Sequence, residues 1–128
     1  MTYFKQDRFA DFCGIELTEC KPGYARTKVT IQEKHLNGAG VVHGGLFFTL
    51  ADFAFAAAVN SYGVVTLSIS CTISYFDKCN KGDIFAEARE ISRSNKLINC
   101  DINITNDEGK LLANFKGTAY ITKQTINF

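Results

Sequence analysis

Formal charge is scarce where most of the core-forming sequence lies. Between residues 35 and 76 the only charged side chain is Asp52, although 21% of the 128 residues are charged overall. An excess of either sign is also missing. The net charge is +1 and the Lys and Arg residues are scattered without a basic stripe, which speaks against a nucleic-acid partner. The five cysteines (Cys13, Cys20, Cys71, Cys79 and Cys100) are odd in number, irregularly spaced and contain no Cys-x-x-Cys pair. That excludes a regular disulfide framework and a cysteine zinc site, and fits reduced thiols in a cytoplasmic protein. The only histidines are His35 and His43, with no carboxylate or cysteine clustered beside them, so no metal is expected. Residues 1–12 carry Lys5, Asp7, Arg8 and Asp11, which leaves no apolar core for a signal peptide. There is no linker, low-complexity stretch or internal repeat, and the reading is one domain over residues 1–128.

What is present is apolar and patterned. The run 41–65 is long enough to raise a membrane span, but two glycines, His43, Asp52, Asn60 and Ser61 interrupt it. It reads as a core helix over about 44–60, with no membrane role. Residues 46–59 have no polar face, and a helix that is apolar all round is a buried one. His43-Gly44-Gly45 is a natural start and Gly63 a natural left-handed end. Upstream, residues 4–12 suggest a short helix. Residues 15–17 and 24–31 read as strands joined by Lys21-Pro22-Gly23.

Four further strands are predicted at 64–76, 84–92, 97–105 and 111–121. In the first, Val65, Leu67, Ile69, Cys71, Ile73 and Tyr75 alternate with Thr66, Ser68, Ser70, Thr72 and Ser74. This predicts one apolar face and one lined with hydroxyls. The fold class is therefore α+β: an antiparallel sheet, its last four strands in a meander, wrapped around one central helix. One sheet cannot cover every side of such a helix, so a second copy of the chain is expected over the remainder.

Asp52 is the residue that packing does not explain. A carboxylate on a buried helix is unfavourable unless it is paired or has a chemical task. At the start of the same helix the first N–H groups lack internal partners and sit at the positive end of the dipole. Gly44 lets a ligand approach that backbone, so its N–H can polarise a carbonyl oxygen as an oxyanion hole does. Asn37 can add a side-chain donor or place a water. Asp52 lies about 12 Å further along the axis at about 1.5 Å per residue, and its side chain recovers only ~2–3 Å of that. Gly44 and Asp52 of one chain cannot then act on one carbonyl, whereas two antiparallel helices across a two-fold axis can bring them together. The expected unit is a homodimer with two composite sites.

The run from Asn37 through His43-Gly44-Gly45 to Leu50-Ala51-Asp52, followed by Asn60-Ser61, resembles the signature of the hotdog-fold acyl-CoA thioesterases. It is most similar to the branch typified by the phenylacetate-pathway (PaaI-like) enzymes. The likeness covers roughly residues 14–121 in strand order, and its specificity sits in 37–61. The resemblance implies the hotdog fold and hydrolysis of an acyl- or aryl-CoA to the free acid and coenzyme A. It implies Asp52 as general base or nucleophile, the Gly44 N–H as carbonyl polariser, Asn37 as positioner of the carbonyl or the water, and His43 as support. Ser68 matches a position that holds the attacking water in some relatives. It also implies subunits that share each site, many members being dimers of dimers. Coenzyme A enters as part of the substrate, and no separate cofactor is expected.

Plainer roles exist for each of these residues. Asn37 can be a turn residue, His43 a hydrogen-bonder at the helix start, and Ser68 an ordinary strand hydroxyl. Phe47, Phe48, Phe53 and Phe55 line the core or an acyl pocket. Lys78, Lys81, Arg93 and Lys96 are the candidate partners for the coenzyme A phosphates. Two other activities fit the same fold. An acyl-thioester dehydratase or hydratase needs a histidine paired with a carboxylate, and His43 precedes the helix rather than facing it. A non-catalytic acyl-CoA sensor leaves Asp52 unexplained.

Overall fold

The chain folds around the stretch that lacks charge. A computed structural model describes residues 4–126. A 3-10 turn (Phe4–Gln6) and the short helix α1 (Arg8–Phe12) lead into β1 (Glu16–Lys21) and β2 (Tyr24–Thr30). A second 3-10 turn (Glu33–His35) and a glycine-bearing loop lead to the long helix α2 (Gly44–Asn60). Four strands follow: β3 (Val64–Tyr75), β4 (Asp83–Arg93), β5 (Leu97–Asn106) and β6 (Leu111–Thr125). They form one six-stranded sheet in the order β1-β2-β4-β5-β6-β3, with every neighbouring pair antiparallel.

The sheet curls over α2. Leu50, Phe55 and Val59 from the helix are fully buried, as are Ile84, Ile102, Ile104, Leu112 and Phe115 from the strands. Burying each such side chain stabilises the fold by about 1.5–3 kcal/mol. The Phe55 and Phe115 rings meet at 5.9 Å between centroids. Gly117 makes room for them: a Cβ there would stand 2.6 Å from the Phe55 ring. Thr27 Oγ1 donates to the Leu50 carbonyl at 2.9 Å, tying β2 to the middle of the helix. Asn60 closes the helix: its Oδ1 accepts from Thr66 N–H at 2.8 Å and its Nδ2 donates to the Ala56 carbonyl at 2.8 Å. Gly63, at φ +86°, then reverses the chain into β3.

Two expectations change. The four last strands are not one meander. β4, β5 and β6 pair in sequence, but β3 lies beyond β6 at the far edge while β4 joins β2. Residues 76–82 make the crossing, held by Phe76 N–H on the Leu112 carbonyl at 2.8 Å and by Val42 N–H on the Cys79 carbonyl at 2.8 Å. This order sets β2 with β4 and β6 with β3 on opposite sides of α2, so the helix is gripped from both flanks. The second change is in β3. A register shift between Ser68 and Ser70 interrupts its pairing with β6. Thr66 is buried, Leu67 and Ile69 are 55% and 60% exposed, and beyond the shift Cys71 and Ile73 pack against the core. The bulge inserts one residue into the alternation, so the apolar residues of β3 do not all share one face.

Among the described residues, no helix is long and apolar enough to cross a membrane.

Candidate active site

The start of α2 carries one open donor. His43 is the N-cap, and its Nδ1 accepts from Gly45 N–H at 2.9 Å. Leu46 N–H is held by the His43 carbonyl at 2.9 Å. Among the described residues, Gly44 N–H has no acceptor, so the positive end of the helix presents a single amide outward. The Tyr75 hydroxyl, at the end of β3, donates to the Gly44 carbonyl at 3.1 Å, and its ring stacks on Phe47 at 6.1 Å. A Cβ on Gly44 would stand 3.1 Å from that hydroxyl oxygen. A side chain at 44 would therefore need the Tyr75 hydroxyl to give way by a few tenths of an ångström, and glycine leaves the amide open to a ligand.

Asn37 lies in the loop just before. Its Oδ1 accepts from Ala39 N–H at 2.9 Å and Val41 N–H at 3.3 Å, which shapes the loop. Its Nδ2 donates to nothing among the described residues and is free for a ligand oxygen. Asn37, His43 and Gly44 thus gather at one end of the helix.

Asp52 stands apart from them. Gly45, Thr49, Asp52 and Ala56 follow one another along the helix at intervals of three and four, and all four are at least partly exposed. This is the stripe the sheet leaves uncovered. Among the described residues, no hydrogen bond or ion pair reaches the Asp52 carboxylate. Burial pushes its pKa up, and the charge of Asp7 pushes it further in the same direction. A half-buried carboxylate without a cation or donor is poised to hold a proton.

Ser68 is elsewhere again. It is exposed on the edge strand β3 at the bulge, with its Oγ 3.1 Å from Cys71 Sγ. The candidate phosphate partners divide into two groups. Lys78 and Lys81 are on the 76–82 crossing, whose Cys79 carbonyl holds Val42 N–H two residues before the helix start. Arg93 lies at the other end of α2, stacked on Tyr62 at 3.7 Å and paired with Glu90 at 3.4 Å. Lys96 is near that end too, its carbonyl accepting from Ile121 N–H at 2.7 Å. The 17-residue helix separates the two groups by about 25 Å.

The histidines are both engaged. His35 is buried, accepts from Gln32 N–H through Nδ1 at 2.9 Å and donates from Nε2 to the Cys13 carbonyl at 2.8 Å. Neither histidine pairs with a carboxylate among the described residues. No three His, Cys, Asp or Glu side chains among those residues come together as a metal-binding group.

Two residues near the site escaped the sequence reading. Tyr75 falls in the apolar register predicted for residues 64–76, and Asp7 in the short helix predicted for residues 4–12. Both arrive through tertiary packing, and neither carries a local motif.

Comparison with known proteins gives a consistent family. The model of the thioesterase superfamily matches residues 39–113, more than half of the chain. A protein of Archaeoglobus fulgidus is 38% identical over 118 residues, covering 91% of this chain and 77% of its own length. The acyl-coenzyme A thioesterase PaaI of Escherichia coli K12 is 32% identical over 124 residues, covering 96% and 89%. The solved structure of the E. coli PaaI protein superposes with a TM-score of 0.93 at 31% identity, covering 98% of this chain and 92% of that one. The described fold, a six-stranded antiparallel sheet around one long helix, is the hotdog fold of these proteins. The chain belongs to the thioesterase superfamily, on its hotdog-fold, PaaI-like branch, and is a thioester hydrolase.

Proposed function

We propose that the protein hydrolyses acyl-CoA thioesters in a homodimer whose two sites each combine the α2 start of one subunit with Asp52 of the partner subunit. The observation that carries this reading is a Gly44 N–H at the helix start and, two turns further along the same helix, the Asp52 carboxylate, neither with a hydrogen-bond partner among the described residues. Within one chain the two groups are about 12 Å apart by helix rise, too far to share one carbonyl. A second copy resolves this, and the exposed Leu67 and Ile69 on the unpaired edge of β3 offer it an apolar seat.

The chemistry follows from the groups present. The thioester oxygen accepts from Gly44 N–H and from Asn37 Nδ2. Asp52 of the partner subunit removes a proton from water, whose oxygen adds to the carbonyl carbon. The negative charge that develops on the carbonyl oxygen is met by the Gly44 amide and the helix dipole. The intermediate collapses with cleavage of the carbon–sulfur bond. Thiolate is a good leaving group, so little acid assistance is required, and the proton held by Asp52 returns to solvent or sulfur. The raised pKa of Asp52 suits a general base, which works best when its pKa approaches the operating pH. His43 holds Gly45 so that the Gly44 amide points outward. Ser68 is assigned to the attacking water, and Lys78 and Lys81 to the coenzyme A phosphates at the same end of the helix. The lack of a histidine–carboxylate pair among the described residues, with both ring nitrogens of His35 and Nδ1 of His43 already hydrogen-bonded to backbone, favours hydrolysis over a dehydratase mechanism.

The test is thiol release from phenylacetyl-, hydroxybenzoyl-, butyryl- and hexanoyl-CoA by the wild type and Asp52→Ala. Turnover by the wild type and a loss of about 10²–10⁴-fold in the variant are expected. Binding of acyl-CoA without thiol release by either protein would overturn the proposal.

A further inference from the structure

At Phe53, the residue after Asp52, the surface opens into a cleft of about 420 Å³ between α1, β1 and α2. That volume is within the range of about 300–1,000 Å³ in which small-molecule groups are held. Its walls are apolar: Phe4, Ala10, Ile15, Leu17 and Phe53. Its polar lining is of one sign, Asp7, Asp11 and Glu16, and no Lys or Arg lines it among the described residues. A second depression of about 300 Å³ continues it along the helix, lined in part by Asp7, Phe53 and Ala56.

Three observations connect this cleft to the site. Phe53, which lines both depressions, follows Asp52 in the chain. Ala56, in the second, is one turn below Asp52 on the same uncovered stripe. Asp7 lines both, and its charge acts on Asp52. Asp52 itself lines neither depression, but its chain neighbour Phe53 and the nearby Asp7 line both, which makes this cleft the candidate apolar space for the acyl group of a thioester held at Asp52.

We infer that the cleft is the acyl-tail pocket and that its carboxylate rim, led by Asp7, restricts the substrates to acyl groups without a negative charge at the far end. This rests on the thioesterase reading above and specifies its substrate class. Apolar walls accept an alkyl or aryl tail. A tail ending in a carboxylate would bring a like charge among the exposed Asp7, Asp11 and Glu16, with no Lys or Arg lining the cleft among the described residues, and that repulsion is felt most at low salt. Asp7 also caps α1, with its Oδ1 accepting from Ala10 N–H at 3.0 Å. Asn keeps this cap. Asp7→Asn therefore removes the charge and leaves the local fold in place.

The experiment compares kcat/KM for acyl groups matched in length and differing by a terminal carboxylate: hexanoyl-CoA against adipoyl-CoA, and phenylacetyl-CoA against its para-carboxylated analogue. Wild type, Asp7→Asn, Glu16→Gln and the remote surface variant Glu108→Gln are assayed at low salt. The wild type is expected to favour the uncharged member by about tenfold or more, a preference that added salt reduces. Asp7→Asn and Glu16→Gln are expected to shift the ratio toward the carboxylated member by about 3–10-fold, and Glu108→Gln to leave it unchanged. Equal turnover of both members by the wild type, or an unchanged ratio in Asp7→Asn and Glu16→Gln, overturns the pocket assignment while thiol release leaves the hydrolase reading standing. Absence of thiol release from every acyl-CoA overturns both.

Discussion

At the scale of single residues, the proposed base Asp52 carries a cost in stability. Its pKa in the folded chain is raised above the unfolded value, first by burial and then by Asp7. Between the two values the folded chain holds a proton there that the unfolded chain has released. Ionisation of Asp52 as the pH rises through that window therefore lowers stability, and the loss persists above it. Asp52→Asn should raise the Tm near neutral pH, with the gain shrinking in acid, where the wild-type carboxyl is already protonated. Thermal melts across pH check this, and a lower Tm in the variant at neutral pH contradicts it. The same shift places the acid limb of the kcat/KM profile above the ordinary carboxylate value of about 4. Asp7→Asn removes one of the two causes, so that limb should move to lower pH. A limb that stays put would show that Asp7 does not act on the base. Asp52 and Gly44 were legible in the sequence because one charge stands alone in a long uncharged stretch and a glycine opens the helix that carries it. Asp7 and Tyr75 were not, because their link to the site exists only after α1 and β3 have packed against α2.

At the scale of elements, α2 was readable to its ends. Glycine at the start, an unbroken apolar run and Gly63 after it leave little freedom, and the helix spans Gly44–Asn60 as expected. The strands were less plain. β1 is half-exposed and bulged between Leu17 and Glu19, so its outer half, through Lys21, has no apolar alternation to read. In β3 the alternation is real in the sequence, but the bulge near Ser68 divides it between two faces. Strand order was also hidden, because it depends on where the 76–82 crossing runs and not on any strand's own pattern. The close fit of β6 under α2 at Gly117 makes a sharp prediction. Gly117→Ala puts a methyl group 2.6 Å from the Phe55 ring, which is locked against Phe115. Overpacking of this kind costs about 1–3 kcal/mol, to be read as a lowered denaturation midpoint. Gly117→Ala with Phe55→Leu should recover part of that loss, since the smaller side chain leaves room for the methyl group. A double variant no more stable than Gly117→Ala alone would place the cause in the backbone of β6.

At the scale of the whole molecule, the uncovered stripe of α2 and the unpaired edge of β3 belong to one account. The helix is gripped on two flanks, its third side bears Asp52, and Leu67 and Ile69 stand exposed on the neighbouring strand. A second copy seated there would cover apolar surface and complete the site in one step. Ile69→Lys should weaken the dimer, with thiol release falling in parallel as light scattering reports smaller particles. Full activity in a monomeric variant would separate assembly from catalysis.

The most direct test of the shared site is complementation between two disabled chains. Gly44→Pro removes the proposed polarising N–H at a first helical position, where His43 already has the extended backbone that precedes proline and the Tyr75 hydroxyl has only to give by a few tenths of an ångström. Asp52→Ala removes the base. Each homodimer should be nearly inactive, by about 10²-fold or more. Differently tagged chains, coexpressed and mixed at random, form heterodimers in which one of the two sites holds an intact Gly44 and an intact Asp52. The account predicts recovery toward about a quarter of wild-type activity in the mixture, tracking the heterodimer fraction isolated through both tags. Isolated heterodimers as inactive as their parents would contradict it, and would place both groups of each site within a single chain.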